Sequence, residues 1–290
     1  MYERILVPTD GSRAAERASH FGFALAEAYN ATVHALHVID TGEKGWDEAP
    51  TEFKDARRQE GKDLTNQIAE GARARGLTVK TNVQPGVPAE VIQEYSAAND
   101  VDLITMGTHG RTGLAKYLLG STAATIVRTA PIPILTVREH DGTDADSDVD
   151  FTNVLVATDG SKSATTASEH GIDVSQRTDA TVHGLFVIDK RAYTSRPGYT
   201  WDDAIRAWEH RGERVVGDFE EIAASNTDVQ TTIRRGVPHQ EILSYTTEND
   251  VDLVVMGTHG RSGWDRFVLG SVAERVVRSS DVPVLTVRTS

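Results

Sequence analysis

The feature that most constrains this chain is that its two halves repeat one another. The segment at residues 101–113, which reads VDLITMGTHGRTG, returns at 251–263 with three changes. Residues 5–12 likewise match 154–161, and Gly-Val-Pro at 86–88 returns at 236–238. A repeat of about 150 residues has the length of a whole domain rather than of a solenoid unit. The sequence therefore predicts two copies of one domain, at residues 1–140 and 151–290, joined by an acidic linker at 141–150.

Within each copy, short apolar runs alternate with amphipathic stretches of helical length. In the first copy the strands are predicted at 4–8, 32–38, 78–83, 102–106 and 133–137, and the helices at 12–28, 51–75, 87–98 and 121–129. The second copy repeats this order from Asn153 to Val287. Apolar strands that alternate with helices are typical of a parallel sheet covered on both faces. The predicted fold class is α/β, with two tandem doubly wound domains that each hold a five-stranded parallel sheet.

Composition excludes several classes of protein. The 290 residues contain no cysteine, which removes disulfides, thiolate metal sites and cysteine nucleophiles. Net charge is −13 and neither half is basic, so we expect no nucleic-acid partner. No apolar run is long enough to span a bilayer, so we expect no membrane partner. These features predict a cytoplasmic protein.

The linker contains alternating aspartates that resemble the start of a calcium-binding loop. Such a loop needs glycine at its sixth position and glutamate at its twelfth. Counted from Asp144, those positions are Val149 and Leu155. The sequence therefore favours a solvated acidic linker, without a metal site.

A glycine-rich loop follows the fourth strand of each copy. It has the pattern G-x2-G-x9-G-S, and its residues are Gly107, Gly110, Gly120 and Ser121 in the first copy and Gly257, Gly260, Gly270 and Ser271 in the second. Glycines let a backbone turn sharply and approach a ligand closely. The Gly-Ser pair lies where a helix begins, so unpaired backbone N–H groups and the positive end of the helix dipole favour an anion there. The pattern predicts a phosphate site that needs no lysine.

An aspartate ends the first strand of each copy, Asp10 and Asp159. Ligands of open α/β sheets bind beyond the carboxyl ends of the strands, where the strand order reverses. If the first and fourth strands are neighbours, the carboxylate and the glycine loop share one crevice.

The strand-one segment Pro-Thr-Asp-Gly-Ser at 8–12, the glycine loop and the final strand at 131–137 resemble the universal stress protein family, in its ATP-binding branch. The resemblance implies a Rossmann-like domain of the adenine nucleotide alpha hydrolase type that binds ATP, with Mg²⁺ or Mn²⁺. It implies that Asp10 and Val38 contact the adenosine, the latter through its backbone. The ribose and phosphates would lie against Met106, Gly107 and Gly110, and the outer phosphates against Gly120, Ser121 and Thr122. The matching residues of the second copy are Asp159, Val187, Met256, Gly257, Gly260, Gly270, Ser271 and Val272.

The resemblance also implies that the two domains pair through their last strands, at 134–138 and 284–288, and it leaves a further homo-oligomer open. The loops at 40–50 and 189–199 differ, and the second contains Arg191 and Arg196, so the two sites are expected to differ in affinity.

Three functions remain open from the sequence. The first is a nucleotide-responsive stress regulator that binds ATP. The second is a slow ATPase or autophosphorylating protein, in which His109 and His259 of the glycine loops orient phosphates or act as acid and base. Arg111 and Arg261 are candidates for a phosphate contact. The third is a scaffold for another small ligand such as a cyclic nucleotide.

His34 and His183 lie within predicted strands and are interpreted as packed or hydrogen-bonded residues, without a catalytic role.

Overall fold

The computed structural model describes residues 1–42, 46, 48–109, 119–139, 149–189, 201–223, 227–259 and 269–289. The chain divides into two compact units, Met1–Val149 and Asp150–Ser290. Each unit is an α/β domain built on five parallel strands, which confirms the predicted fold class. The linker predicted at 141–150 lies almost wholly outside the described residues, and its bounds stay a prediction.

The first domain alternates strands and helices from end to end. Its elements are β1 Arg4–Pro8, α1 Arg13–Tyr29, β2 Thr32–Asp40, α2 Thr51–Ala74, β3 Val79–Gly86, α3 Pro88–Ala98, β4 Leu103–Gly107, α4 Ser121–Thr129 and β5 Ile134–Val137. The strand order is β3-β2-β1-β4-β5, and every pair is parallel.

The second domain follows the same plan. Its elements are β6 Asn153–Thr158, α5 Lys162–Thr178, β7 Thr181–Asp189, α6 Trp201–Ala223, β8 Val229–Gly236, α7 Pro238–Glu248, β9 Leu253–Gly257, α8 Ser271–Ser279 and β10 Val284–Val287. Its order is β8-β7-β6-β9-β10, again with parallel pairs.

In both domains the strand order reverses beside the first strand. The chain runs outward from β1 to β2 and β3, then returns to the other side of β1 with β4 and β5. The first and fourth strands are neighbours, as the shared crevice requires, with Ile5 opposite Leu103 and Val154 opposite Leu253. The carboxyl ends of β1 and β4 therefore form the switch point at which such sheets bind ligands.

Local chemistry explains where the first helix of each domain begins and ends. The Ser12 hydroxyl accepts a hydrogen bond from the Ala15 N–H, and Ser161 does the same for Ala164. Each helix ends on a short polar residue in the left-handed region, Asn30 at φ 52° and Asp179 at φ 56°. The predicted cap near Ser12 is confirmed.

Two strands extend further than the sequence pattern indicates. The second strand continues to Asp40, and the third continues through Pro85 to Gly86. Proline interrupts most strand patterns because it cannot donate to a ladder. Pro85 is accommodated because β3 is the outermost strand of its domain and pairs with β2 alone there.

Candidate functional site

A cavity of about 700 Å³ opens at the carboxyl ends of β1, β2 and β4 in the first domain. Its walls also include α2, α3 and the start of α4. The structure brings most of the predicted first-site residues to this cavity: Asp10, Val38, Met106, Gly107, Gly120, Ser121 and Thr122. Gly110 and Arg111 lie outside the described residues. The crevice expected from the strand order is therefore present as a volume large enough for a nucleotide-sized ligand.

Asp10 is held in place by the turn that leads into α1. Its Oδ1 accepts a hydrogen bond from the Ser12 N–H at 3.0 Å, and the side chain is half-buried. One residue earlier, the Thr9 carbonyl lies 2.8 Å from His37 Nδ1. These contacts tie the end of β1 to its neighbour β2 and fix the direction of the Asp10 carboxylate.

Val38 lies near the end of β2, opposite Gln84 of β3. It is half-buried, and it lines the cavity beside His37 and Ile39. Met106 lies across the crevice at the end of β4 and is 6% exposed. Several apolar side chains line this half of the cavity, among them Pro8, Leu36 and Ile92. Such a surface suits the flat face of a nucleobase.

Gly107 is needed for a reason other than the predicted approach of a ligand. A Cβ at this position would lie 2.7 Å from the Ala14 carbonyl carbon and 2.9 Å from the Ala15 nitrogen. The glycine therefore allows α1 to pack directly on the end of β4. Gly257 has the same role, since a Cβ there would lie 2.9 Å from the Ser163 carbonyl carbon.

The other end of the cavity is formed by the start of α4. Gly120 is the N-cap residue, and its N–H donates to the Thr108 carbonyl at 2.7 Å. The first intrahelical bond runs from the Ala124 N–H to the Gly120 carbonyl, and no side chain of the described residues caps this end. The N–H groups of Ser121, Thr122 and Ala123 precede that bond and carry the positive end of the helix dipole. This end of the cavity is suited to an anion.

His109 lines the cavity between these two ends. Its Nδ1 lies 2.9 Å from the Thr108 hydroxyl, and its Nε2 is buried with no hydrogen-bond partner among the described residues. Burial lowers the pKa of His109 and the nearby Arg138 lowers it further, against an opposing effect of Glu139. The ring is therefore neutral at neutral pH.

The sequence analysis missed the wall that α2 contributes. Phe53, Arg57 and Glu60 all line the cavity, together with Trp46 from the preceding segment. Arg57 pairs with Glu60 at 2.9 Å, and its guanidinium lies 5.4 Å from the centre of the Phe53 ring. Phe53 is 48% exposed, an unusual position for a large apolar ring. An aromatic ring four residues before Arg57 on an otherwise charged helix was the sequence signal that could have indicated this wall.

In the second domain the predicted residues occupy the equivalent elements. Asp159 follows β6, and its Oδ1 accepts from the Ser161 N–H at 3.0 Å. Val187 lies in β7 opposite Arg234, and Met256 and Gly257 end β9. Gly270 is the N-cap of α8, with no side-chain cap among the described residues, and Ser271 and Val272 begin the helix. Gly260, Arg261, Arg191 and Arg196 lie outside the described residues.

His259 repeats the surroundings of His109. Its Nδ1 lies 2.9 Å from the Thr258 hydroxyl, and its buried Nε2 has no partner in the part of the chain that is described. His34 and His183 have other surroundings, since their Nδ1 atoms each lie 3.0 Å from a tyrosine hydroxyl, those of Tyr95 and Tyr245. The interpretation of this second pair as hydrogen-bonded strand residues is confirmed.

Comparison with known proteins identifies the family. The model of the universal stress protein family matches residues 1–138 and 150–288, so the chain belongs to that family and carries its domain twice. A universal stress protein of Methanocaldococcus jannaschii is 31% identical over 140 residues, 48% of this chain and 82% of that protein. One of Mycolicibacterium smegmatis is 27% identical over 299 residues, 98% of this chain and 96% of that protein. The crystal structure of a universal stress protein from Archaeoglobus fulgidus matches with a TM-score of 0.71 and 24% identity, over 99% of this chain and 96% of that one, and shows the same fold.

None of the helices in the described ranges is both long and apolar enough to cross a bilayer. The same residues contain no group of three or more histidine, aspartate and glutamate side chains arranged to hold a metal ion.

Proposed function

We propose that this universal stress protein binds ATP in the cavity of its first domain and acts as a nucleotide-responsive regulator. The observation that carries the proposal is that one cavity joins an end with several apolar side chains to a helix start that no described side chain caps. A nucleotide has the matching two ends, a flat base and a chain of anionic phosphates. Hydrophobic walls with a few placed polar groups are typical of small-molecule sites.

Each predicted residue has a role in this proposal. Asp10 and the backbone of Val38 contact the adenosine, and Met106 and Gly107 lie beside the ribose. The N–H groups at the start of α4, with the Ser121 and Thr122 hydroxyls, bind the outer phosphates, and Gly110 is the predicted contact outside the described residues. Mg²⁺ or Mn²⁺ would be held mainly by the phosphates themselves, as Mg²⁺ commonly is in nucleotide sites.

The second domain repeats these positions as Asp159, Val187, Met256, Gly257, Gly260, Gly270, Ser271 and Val272, and whether they also form a complete site is a separate question. The pairing of the domains through residues 134–138 and 284–288 remains a prediction.

The first test is to denature the purified protein, identify any released nucleotide by mass spectrometry, and measure ATP binding by calorimetry. Gly120→Val should abolish ATP binding, because its side chain enters the phosphate end. The fold should be unaffected, since Gly120 has φ −57°, which valine readily adopts.

The matched control is Gly217→Val, where nothing lies within 4 Å of an added Cβ in α6. Undiminished ATP affinity in Gly120→Val, or an equal loss in the control, would overturn the assignment.

One observation favours slow ATP hydrolysis as a second candidate. His109 lines the cavity, its Nε2 has no hydrogen-bond partner among the described residues, and the lowered pKa keeps the ring neutral. A neutral imidazole can accept a proton from an attacking water. Phosphate release from ATP should then fall in His109→Ala while ATP affinity changes little. Turnover that is negligible in the unmodified protein, or unchanged in the variant, excludes this role.

A further inference from the structure

The helices that follow the second strand, α2 and α6, can be aligned by their packing. In α2, a Cβ at Gly61 would lie 2.6 Å from His37 and 2.8 Å from Val83. In α6, a Cβ at Gly212 would lie 3.1 Å from both Phe186 and Ile233. Phe186 and Ile233 are the second-domain counterparts of His37 and Val83 in the sheet register. Gly61 and Gly212 are therefore equivalent positions.

This equivalence shows that the wall of the crevice differs between the domains. The residue before the glycine is Glu60 in α2 and Arg211 in α6. The residue four positions before the glycine is Arg57 in α2 and Trp208 in α6. Three residues after the glycine the pair is Leu64 and Val215. The second domain thus has an aromatic ring and a cation where the first has an ion pair.

In the first domain this wall leaves the crevice open. Arg57 and Glu60 bond to each other at 2.9 Å and line the cavity beside Asp10. Leu64 is half-buried. The cavity therefore extends from the end of β1 to this ion pair on α2.

In the second domain the same wall lies against the strand ends. The Arg211 guanidinium donates to the Asp159 carbonyl at 3.0 Å, at the position equivalent to Asp10. Val215 approaches the next residue so closely that a Cβ at Gly160 would lie 2.6 Å from it. These contacts place α6 side chains directly over the end of β6.

An apolar cluster fills the adjoining space. Phe186, Ile188, Val215 and Val216 are buried together, and Trp208 packs against them. Ile188 is the counterpart of Ile39, which lines the first-domain cavity. Trp208, the counterpart of the cavity-lining Arg57, therefore packs against the cluster that contains the counterpart of Ile39.

We infer that Trp208 and Arg211 close the adenosine end of the second crevice, so that the chain binds one ATP, in its first domain. The inference rests on the proposed function, because it assigns the base end of the crevice to the ends of the first and second strands. The start of α8 resembles that of α4, since a glycine is the N-cap of each and no side chain within the described ranges caps either helix. The two domains thus share the phosphate end and differ at the base end.

The test is the stoichiometry of ATP binding to the whole chain, measured by calorimetry with Mg²⁺. One equivalent per chain is expected, lost in Gly120→Val and kept in Gly270→Val. Two equivalents of similar affinity, or one equivalent that only Gly270→Val removes, would overturn the inference but not the proposal that the chain binds ATP. No binding at all would instead overturn the proposed function, and the inference with it.

A second experiment restores the first-domain residues in α6. The double variant Trp208→Arg with Arg211→Glu should bind a second equivalent of ATP, which Gly270→Val then removes. The control is Arg214→Glu, which makes the same arginine-to-glutamate change as at Arg211 but at an exposed position of the same helix, and it should still bind one equivalent. If the double variant has an unchanged circular dichroism spectrum and binds one equivalent, or if the control gains a site, Trp208 and Arg211 do not determine specificity.

Discussion

Two glycines of the first-domain crevice answer different physical needs. Gly107 lies under α1, where a side chain would overlap the backbone of Ala14 and Ala15. Gly120 starts α4 with ordinary dihedral angles, φ −57° and ψ 150°, which other residues adopt without strain. The first glycine therefore supports the fold, and the second is proposed to serve the ligand.

Because Gly107 is crowded and Gly217 is not, alanine should have opposite effects on stability at these two positions. Gly107→Ala should lower the free energy of unfolding by about 1–3 kcal/mol, the usual cost of overpacking, because the backbone atoms of α1 must move. Gly217→Ala, in open space within α6, should raise it by about 0.5–1 kcal/mol through helix propensity. Denaturant titration measures both. Equal stability of Gly107→Ala and the unmodified chain would show that α1 does not restrict this position.

Buried histidines predict how stability depends on pH. Burial is the main cause that lowers the pKa of His34 and of His183; Lys80 and Arg4 add to the effect at His34, and Asp228 opposes it at His183. In the unfolded chain both rings titrate with a pKa of about 6.5. As the pH falls through that value, the unfolded chain binds protons that the folded chain does not, so the free energy of unfolding decreases.

The measurement is the free energy of unfolding between about pH 7.5 and about pH 5.5, the range around the unfolded pKa. The double variant His34→Gln with His183→Gln should be less stable at pH 7.5, because two hydrogen bonds to tyrosine are disturbed, but should depend less on pH. Identical slopes in the two proteins would contradict this account.

At the scale of the element, one aspartate per domain joins two strands at their starts. Asp102, before β4, accepts hydrogen bonds from the N–H groups of Glu3 and Arg4 at 2.8 and 2.9 Å. Asp252 accepts from Thr152 and Asn153 at the same distances. This shared contact gives the repeated aspartate a role, and it lies just before the fourth strand, which the sequence pattern had started at Asp102.

The aspartate contact predicts a loss of stability on truncation. Asp102→Ala should cost about 1.5–3 kcal/mol, because two backbone donors lose a charged acceptor. Asp102→Asn should cost less, since the amide oxygen still accepts. Asp55→Ala removes only an exposed ion pair with Arg58 and should change stability by less than about 1 kcal/mol. Thermal unfolding separates these cases, and an Asp102→Ala variant as stable as Asp55→Ala would refute the assigned role.

Elements with strong local signals were predictable from the sequence, and contacts between distant elements were not. The apolar run of β1, the Ser12 cap and the glycine start of α4 are local patterns, and the structure has them where predicted. Pro85 could be placed in β3 only once the strand order made that strand an edge. Arg57 and Glu60 reach the cavity only because Gly61 lets α2 pack on His37, a contact that no local pattern encodes.

At the scale of the whole molecule, duplication conserved one part of the domain and changed another. The fourth-strand segment is nearly identical in the two copies, and α4 and α8 begin alike. The helices α2 and α6 share a packing glycine but differ in the side chains around it. The copies therefore have the same fold but different crevice walls. This difference allows a chain with two similar domains to bind a ligand in one of them.

This asymmetry predicts where ATP protects the backbone from hydrogen exchange. Ligand binding to the folded state lowers the population of open states, by an amount equivalent to about 2.7 kcal/mol when the ligand is at about 100 times its Kd. Peptides that cover residues 8–12, 36–40 and 119–123 should therefore exchange more slowly with ATP and Mg²⁺. The equivalent peptides at 157–161, 185–189 and 269–273 should show less protection, because Arg211 and Trp208 already cover the ends of β6 and β7. Equal protection of both sets would mean that the α6 side chains move aside for the nucleotide, and that both crevices bind it.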